Sequence, residues 1–148
     1  MRGSRHQTVF AGQYLPMPTN NNLEITVSDQ TVSIGDLRLA VQQFVSDRDW
    51  EQYHSPKNLA MSIAIEAAEL MEHFQWLAPE AARTRLEDGA ARAEVADELA
   101  DILIYCLSFA NSTQIDVSSA IVHKLERNRT RFPIDRVRGR LGEEHRDE

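Results

Sequence analysis

The chain predicts an all-α protein of four main helices, two of them acidic and packed antiparallel. Three observations carry this. Residues 57–77 and 90–112 place apolar side chains at helical spacing over many turns. Ser33 and Asp116 stand where helix N-caps are expected. Pro56, Pro79 and Pro133 fall between the periodic segments, where they punctuate helices without breaking them.

Residues 1–32 are polar, with Pro16, Pro18 and the run Thr19 to Asn22, and read as a flexible N-terminal arm. Within it, Leu23 to Val27 has the make-up of a short strand at most. Ser33 caps the first helix, with Asp36 at its third position and Leu37, Val41, Phe44 and Val45 on the apolar face. This helix is expected to fade near Trp50 or Tyr53. Pro56 suits the first turn of the second helix, read over about Lys57 to Leu77. Pro79 then opens a short connecting helix, Glu80 to Leu86, which Asp88-Gly89 is expected to end. The next long helix covers about Ala90 to Ser112. Asp116 caps the last, which runs to about Arg131 and stops before Pro133. The ordered unit is thus read as residues 33–133, followed by a loose, charged tail over 134–148.

At 148 residues the chain suits one domain with a single core. Its net charge of −7 argues against a nucleic-acid polymer as partner, which needs a basic footprint. A small anionic substrate stays open, because a bound cation inverts the local charge. The one cysteine, Cys106, excludes a disulfide framework and fits a reducing, cytoplasmic setting. No apolar run reaches membrane-spanning length, and the N-terminus lacks an apolar signal core.

The chemistry concentrates in Glu66-Ala-Ala-Glu69 and Glu98-Leu-Ala-Asp101. A three-residue step puts both carboxylates of each pair on one helix face, with Cβ atoms ~5–6 Å apart. On the second helix Ser62, Glu66, Glu69 and His73 share an arc of about 60°. On the long helix Glu94, Asp97, Glu98, Asp101, Tyr105 and Ser108 share about 100°. No Lys or Arg lies between Lys57 and Arg83 or between Arg92 and Lys124, whereas a solvated face mixes both signs. Two such faces packed together gather four carboxylates, which share a low-dielectric site only around a cation. A hard divalent ion with oxygen ligands fits best: Mg²⁺ first, with Mn²⁺ as a substitute. A di-iron centre is disfavoured, since its Glu-x-x-His step is missing: Leu70 stands three before His73. His73, one turn past Glu69, is read as a polar edge residue or a hydrogen-bond partner of Glu69.

The pair of motifs resembles the metal signature of the MazG-like, all-α nucleoside triphosphate pyrophosphohydrolases. The resemblance covers about Leu37 to Pro133. Arg48 to His54, Pro56 to Leu59, Phe74-Gln75-Trp76, Asp101 to Tyr105 and Lys124 to Asn128 are similar to the dCTP pyrophosphatase branch. Two positions depart from the pattern. Ile65 stands where a second Glu is common, and Val41 where a His on the first helix contributes to the base contact.

The resemblance implies a four-helix MazG-like bundle, assembled as a homodimer or as a dimer of dimers with sites near subunit interfaces. It implies cleavage between the α and β phosphates, with Glu66, Glu69, Glu98 and Asp101 holding Mg²⁺ and one of them orienting water. Trp50 and Trp76 are candidates to stack on the base, although Trp also serves as a core or interface anchor. Tyr105 is a candidate sugar contact. Lys124 and Asn128, one turn apart, are candidates for phosphate or sugar. His54 is a candidate base or phosphate contact, with a helix-end hydrogen bond the competing role. The small-molecule partner implied is a deoxynucleoside triphosphate, dCTP or a related pyrimidine nucleotide first, in nucleotide-pool sanitation. The rival is a non-catalytic helical module that binds nucleotide or protein through the same groove.

Overall fold

The computed structural model describes residues 27–139. Residues 1–26, which hold most of the expected arm and all of the Leu23 to Val27 strand candidate except Val27, and residues 140–148 of the tail lie outside them. Among the described residues the regular structure is entirely helical. It comprises α1 (Ile34–Ser46), α2 (Pro56–Glu72), α3 (Pro79–Arg85), α4 (Gly89–Thr113), α5 (Val117–Arg131) and α6 (Ile134–Val137), with a 3₁₀ turn at Glu51–Tyr53.

The last residues of the expected arm are already folded into a turn, with the Thr31 and Val32 N–H groups donating to the Ser28 carbonyl. Ser33 then starts α1 through a capping box. Its Oγ accepts from the Asp36 N–H at 3.1 Å, and its own N–H donates to Asp36 Oδ2 at 2.9 Å. α1 stops at Ser46, earlier than the expected fade near Trp50. Asp49 adopts a left-handed conformation, φ 52°. The Trp50 N–H reaches back to the Val45 carbonyl and the Asp49 N–H to that of Ser46. These are the two bonds of a Schellman stop, and Asp is among the residues that tolerate the left-handed region without glycine. α4 ends the same way: Gln114 is left-handed (φ 58°), and the Ile115 N–H donates to the Ala110 carbonyl.

α2 is capped by Ser55, which accepts from the Asn58 N–H, and Pro56 sits in its first turn. It ends at Glu72, short of the expected Leu77. The chain unwinds through a turn in which the Phe74 and Gln75 N–H groups share the Met71 carbonyl. Pro79 holds Ala78 in extended backbone, so no continuous helix can pass from α2 into α3. Asp88-Gly89 opens α4 instead of closing α3, because the Asp88 carboxylate accepts from the Ala90 N–H. Asp116 caps α5 with a 2.7 Å bond from the Ser119 N–H. The tail expected to be loose from 134 begins with one helical turn, α6.

α2 packs along α4, and α1 packs on α4 beside it. The α2–α4 direction follows from their side chains. Glu66 and Glu69 meet Glu98, whereas His73, further along α2, meets α4 near Glu94 through Arg85. Ascending α2 thus descends α4, so the pair is antiparallel. Leu59, 1% exposed, is the fully buried large side chain among the described residues, and Val45, Ala91 and Ala110 are buried as well. Arg38 and Asn111 tie α1 to the end of α4. Arg38 Nε donates to Asn111 Oδ1 and Asn111 Nδ2 donates to the Arg38 carbonyl, both at 2.9 Å.

α5 lies apart from this core. Ile121, Val122 and Leu125 stay about half exposed or more, as do Leu99 and Leu103 on α4. A shallow apolar groove of about 420 Å³ runs between α4 and α5, lined by Phe109, Ile115, Ile121 and Leu125 among others. No helix among the described residues is long and apolar enough to cross a membrane.

Candidate active site

The seam between α2 and α4 gathers the carboxylates. Glu66, Glu69 and Glu98 each offer an oxygen, and these oxygens lie within 4.8 Å of one another. Glu66 and Glu98 are half-buried and Glu69 is exposed. Asp101 stands one turn along α4 from Glu98 and acts on Glu66 electrostatically, while its oxygens fall outside that tight group. Burial first, and then the charges of Glu69, Asp101 and Glu98, push the Glu66 carboxyl above its ordinary value. Four acids converge here because a three-residue helical step repeats on two antiparallel helices. The donor set is all carboxylate oxygen, mutually repulsive and open to solvent, which suits a hard divalent cation. The residues therefore fit a metal.

A second feature of the seam was not legible along either acidic helix. A polar pocket of about 430 Å³ is lined by Glu69, Glu72, His73, Arg85 and Glu98. Arg85 comes from α3, so one cation does join the carboxylates despite their absence from both acidic stretches. Its Nη2 lies 3.2 Å from His73 Nδ1 and 3.6 Å from Glu94 Oε2. His73 therefore borders the site as an edge residue, partnered by Arg85. The only sequence signal for Arg85 was its place at the end of a short helix between the two motifs.

The other candidate residues are spread over the chain. Tyr105 is half-buried on α4, one turn beyond Asp101 on the same arc. Trp50 follows α1 and meets Phe44 edge-on at 5.9 Å between ring centroids, with the Arg48 guanidinium lying over the Phe44 ring. Trp76 stands in the turn after α2 and is 87% exposed. Among the described residues no ring contact joins Trp50 to Trp76. His54, half-buried between the 3₁₀ turn and α2, donates its backbone N–H to the Glu51 carbonyl. Lys124 lines the apolar groove between α4 and α5, away from the acidic pocket. Asn128 lies one turn further along α5, and its carbonyl accepts from the Phe132 N–H. One chain thus gathers the acidic group and leaves the aromatic and basic candidates dispersed.

Comparison with known proteins gives this geometry a context. Residues 61–141 match the model of the MazG-like family. dCTP pyrophosphatase 1 of Bos taurus is 36% identical over 107 residues, which is 72% of this chain and 63% of that protein. The protein of the same name from Homo sapiens is 34% identical over 106 residues, 72% of this chain and 62% of its own length. The match thus spans less than two thirds of these curated relatives. A solved structure of a pyrophosphatase from Archaeoglobus fulgidus shares 39% identity with a TM-score of 0.64, covering 68% of this chain and 92% of that one. The family match takes in both α4 and most of α2, including all four seam carboxylates. With more than half of its length matched, this chain belongs to the MazG-like family.

Proposed function

We propose that this protein hydrolyses deoxynucleoside triphosphates to the monophosphate and pyrophosphate, with dCTP or a related pyrimidine nucleotide favoured, and so cleans the nucleotide pool of the cytoplasm. The observation that carries the reading is the convergence of Glu66, Glu69 and Glu98 on one seam. The names of the curated relatives support the base. Glu66, Glu69, Glu98 and Asp101 would hold Mg²⁺, or Mn²⁺ in its place. The ion supplies neutralisation of phosphate charge and a more acidic water.

The protein's own residues do the rest. A carboxylate of the seam, Glu66 or Glu69, orients water and takes its proton. The water oxygen bonds to the α phosphorus, the α–β bridging P–O bond breaks, and the bridging oxygen leaves with pyrophosphate. Tyr105 meets the sugar on the α4 side of the seam. Trp50 and Trp76 stack on the base, His54 contacts base or phosphate, and Lys124 and Asn128 hold phosphate or sugar. These residues come together when a second copy covers the exposed α4–α5 face. Apolar surface of that extent on a small domain is the mark of an interface. The expected assembly is therefore a homodimer or a dimer of dimers.

The test is a panel of ribo- and deoxyribonucleoside triphosphates, with Mg²⁺ and with excess EDTA, read as pyrophosphate release. Highest kcat/KM for dCTP or a modified pyrimidine dNTP, lost in EDTA, is the expected result. Equal rates for dATP and dGTP would remove the base assignment. Undiminished turnover in EDTA would remove the metal role of the seam.

A further inference from the structure

The polar pocket carries the acidic seam toward α3, through His73 and Arg85. Along α4 the order is Tyr105, Asp101, Glu98, Glu94, at ~1.5 Å of rise per residue. Tyr105 stands about ten ångströms from Glu98 on one side, while Arg85 meets Glu94 about six ångströms away on the other. A chain molecule laid along the seam with its sugar at Tyr105 therefore points its far end at Arg85.

Arg85 is poorly satisfied where it stands. Its Nε is buried and has no acceptor among the described residues. The Glu94 contact, at 3.6 Å, is too long for a hydrogen bond. Among the described residues its one side-chain hydrogen bond is to His73 Nδ1. A guanidinium only donates, so the His73 ring accepts through Nδ1 and carries its proton on Nε2. The pair thus sets a charged fork beside an imidazole ring in a wall otherwise made of Glu69, Glu72 and Glu98. A guanidinium fork matches phosphate oxygens in pairs, which an ammonium does not.

We propose that Arg85, with His73 held beside it, binds the terminal phosphates of the nucleotide, the part that leaves as pyrophosphate. This rests on the pyrophosphohydrolase reading above and adds a substrate contact from α3, outside both acidic motifs. It also gives the connecting helix a role: Pro79 and Asp88 bracket a short segment whose last residue faces the seam.

The test uses the full chain with two probes, Mg²⁺–pyrophosphate and dCMP, each titrated calorimetrically into wild type, Arg85→Ala and Arg85→Lys. Loss of a charged hydrogen bond predicts pyrophosphate binding weakened on the order of ten-fold or more in Arg85→Ala, with dCMP, which lacks those phosphates, nearly unchanged. Arg85→Lys should fall between, keeping the charge and losing the fork. Equal weakening of both probes would make Arg85 a strut between helices and overturn the proposal, as would no weakening of either. Should Arg85→Ala fail to fold in circular dichroism, Arg85→Lys decides alone: selective weakening of pyrophosphate supports the contact, and parity with wild type overturns it. Wild-type protein that binds no pyrophosphate overturns it too. If pyrophosphate binds through Arg85 while no triphosphate is cleaved, the catalytic reading falls and the contact stands.

Discussion

The acidic seam and the basic end of α5 differ in what they need to become a site. The seam closes within one chain: two antiparallel helices each contribute carboxylates, and Glu66, Glu69 and Glu98 converge without further help. The α5 region does not close. Lys124 sits beside an apolar groove, with Ile121 and Leu125 half exposed around it. The difference teaches that local helical spacing suffices to cluster acids, whereas the α5 half stays open beside uncovered apolar surface.

The strongest way to break this contrast is to remove a charge from the seam. Glu98→Gln keeps the side-chain shape and should lower pyrophosphate release roughly a thousand-fold, the scale of several kcal/mol of charge stabilisation. Circular dichroism should show the helices intact. Near-wild-type turnover would mean that the seam is not the reactive centre.

The next effect concerns the raised Glu66 carboxyl. The Glu66 carboxyl is raised above its reference of 4.5, by burial first and then by its acidic neighbours. The folded state therefore keeps this proton to higher pH than the unfolded chain does. Between the two values the unfolded state binds fewer protons, so stability falls as pH rises through and above the mid-4 range. Metal-free protein should thus melt at lower temperature at pH 7 than near pH 5 as far as this group contributes, and Glu66→Gln should flatten that slope. Saturating Mg²⁺ should restore about 2.7 kcal/mol at a hundred times its Kd, read as a Tm increase. Absence of any Tm response to Mg²⁺ would argue against a cation on the seam.

Leu125→Asp tests the open half. A charge at the centre of the α5 apolar face should weaken self-association by roughly 30-fold or more, seen in light scattering across a dilution series. Metal binding at the seam should survive. A variant that associates like wild type would place the subunit contact elsewhere.

The smallest effect sharpens the contrast within the carboxylates themselves. Asp116 caps α5, and the bonds from Ser119 hold its carboxyl below its reference of 3.8. Its sign is opposite to that of Glu66. The stability it brings is present above the unfolded value and is lost as pH falls through the depressed folded one. Asp116→Ala should lower the denaturant midpoint at neutral pH, and less in strong acid. Asp36, depressed by its bonds with Ser33, should behave alike.

Much of this molecule was readable along the chain because its determinants are local. Ser33, Pro56, Pro79 and Asp116 mark helix starts through bonds and ring constraints that reach only three or four residues. The two acidic motifs declare shared faces through a fixed rise and turn. The early ends of α1 and α2 were less legible. A left-handed aspartate at Asp49 and the unwinding after Glu72 depend on where the following segment must go.

The sequence alone therefore determined the main helices, the caps at Ser33 and Asp116 and the acidic face of each long helix, since these follow from the geometry of a few neighbouring residues. Only the tertiary structure decided that Asp101 stands just outside the tight trio, that Arg85 turns back onto the seam, and that Trp50, Trp76 and Lys124 stay dispersed within one chain. Those outcomes depend on how helices far apart in sequence pack, and on apolar surface left uncovered. No spacing along the chain encodes either.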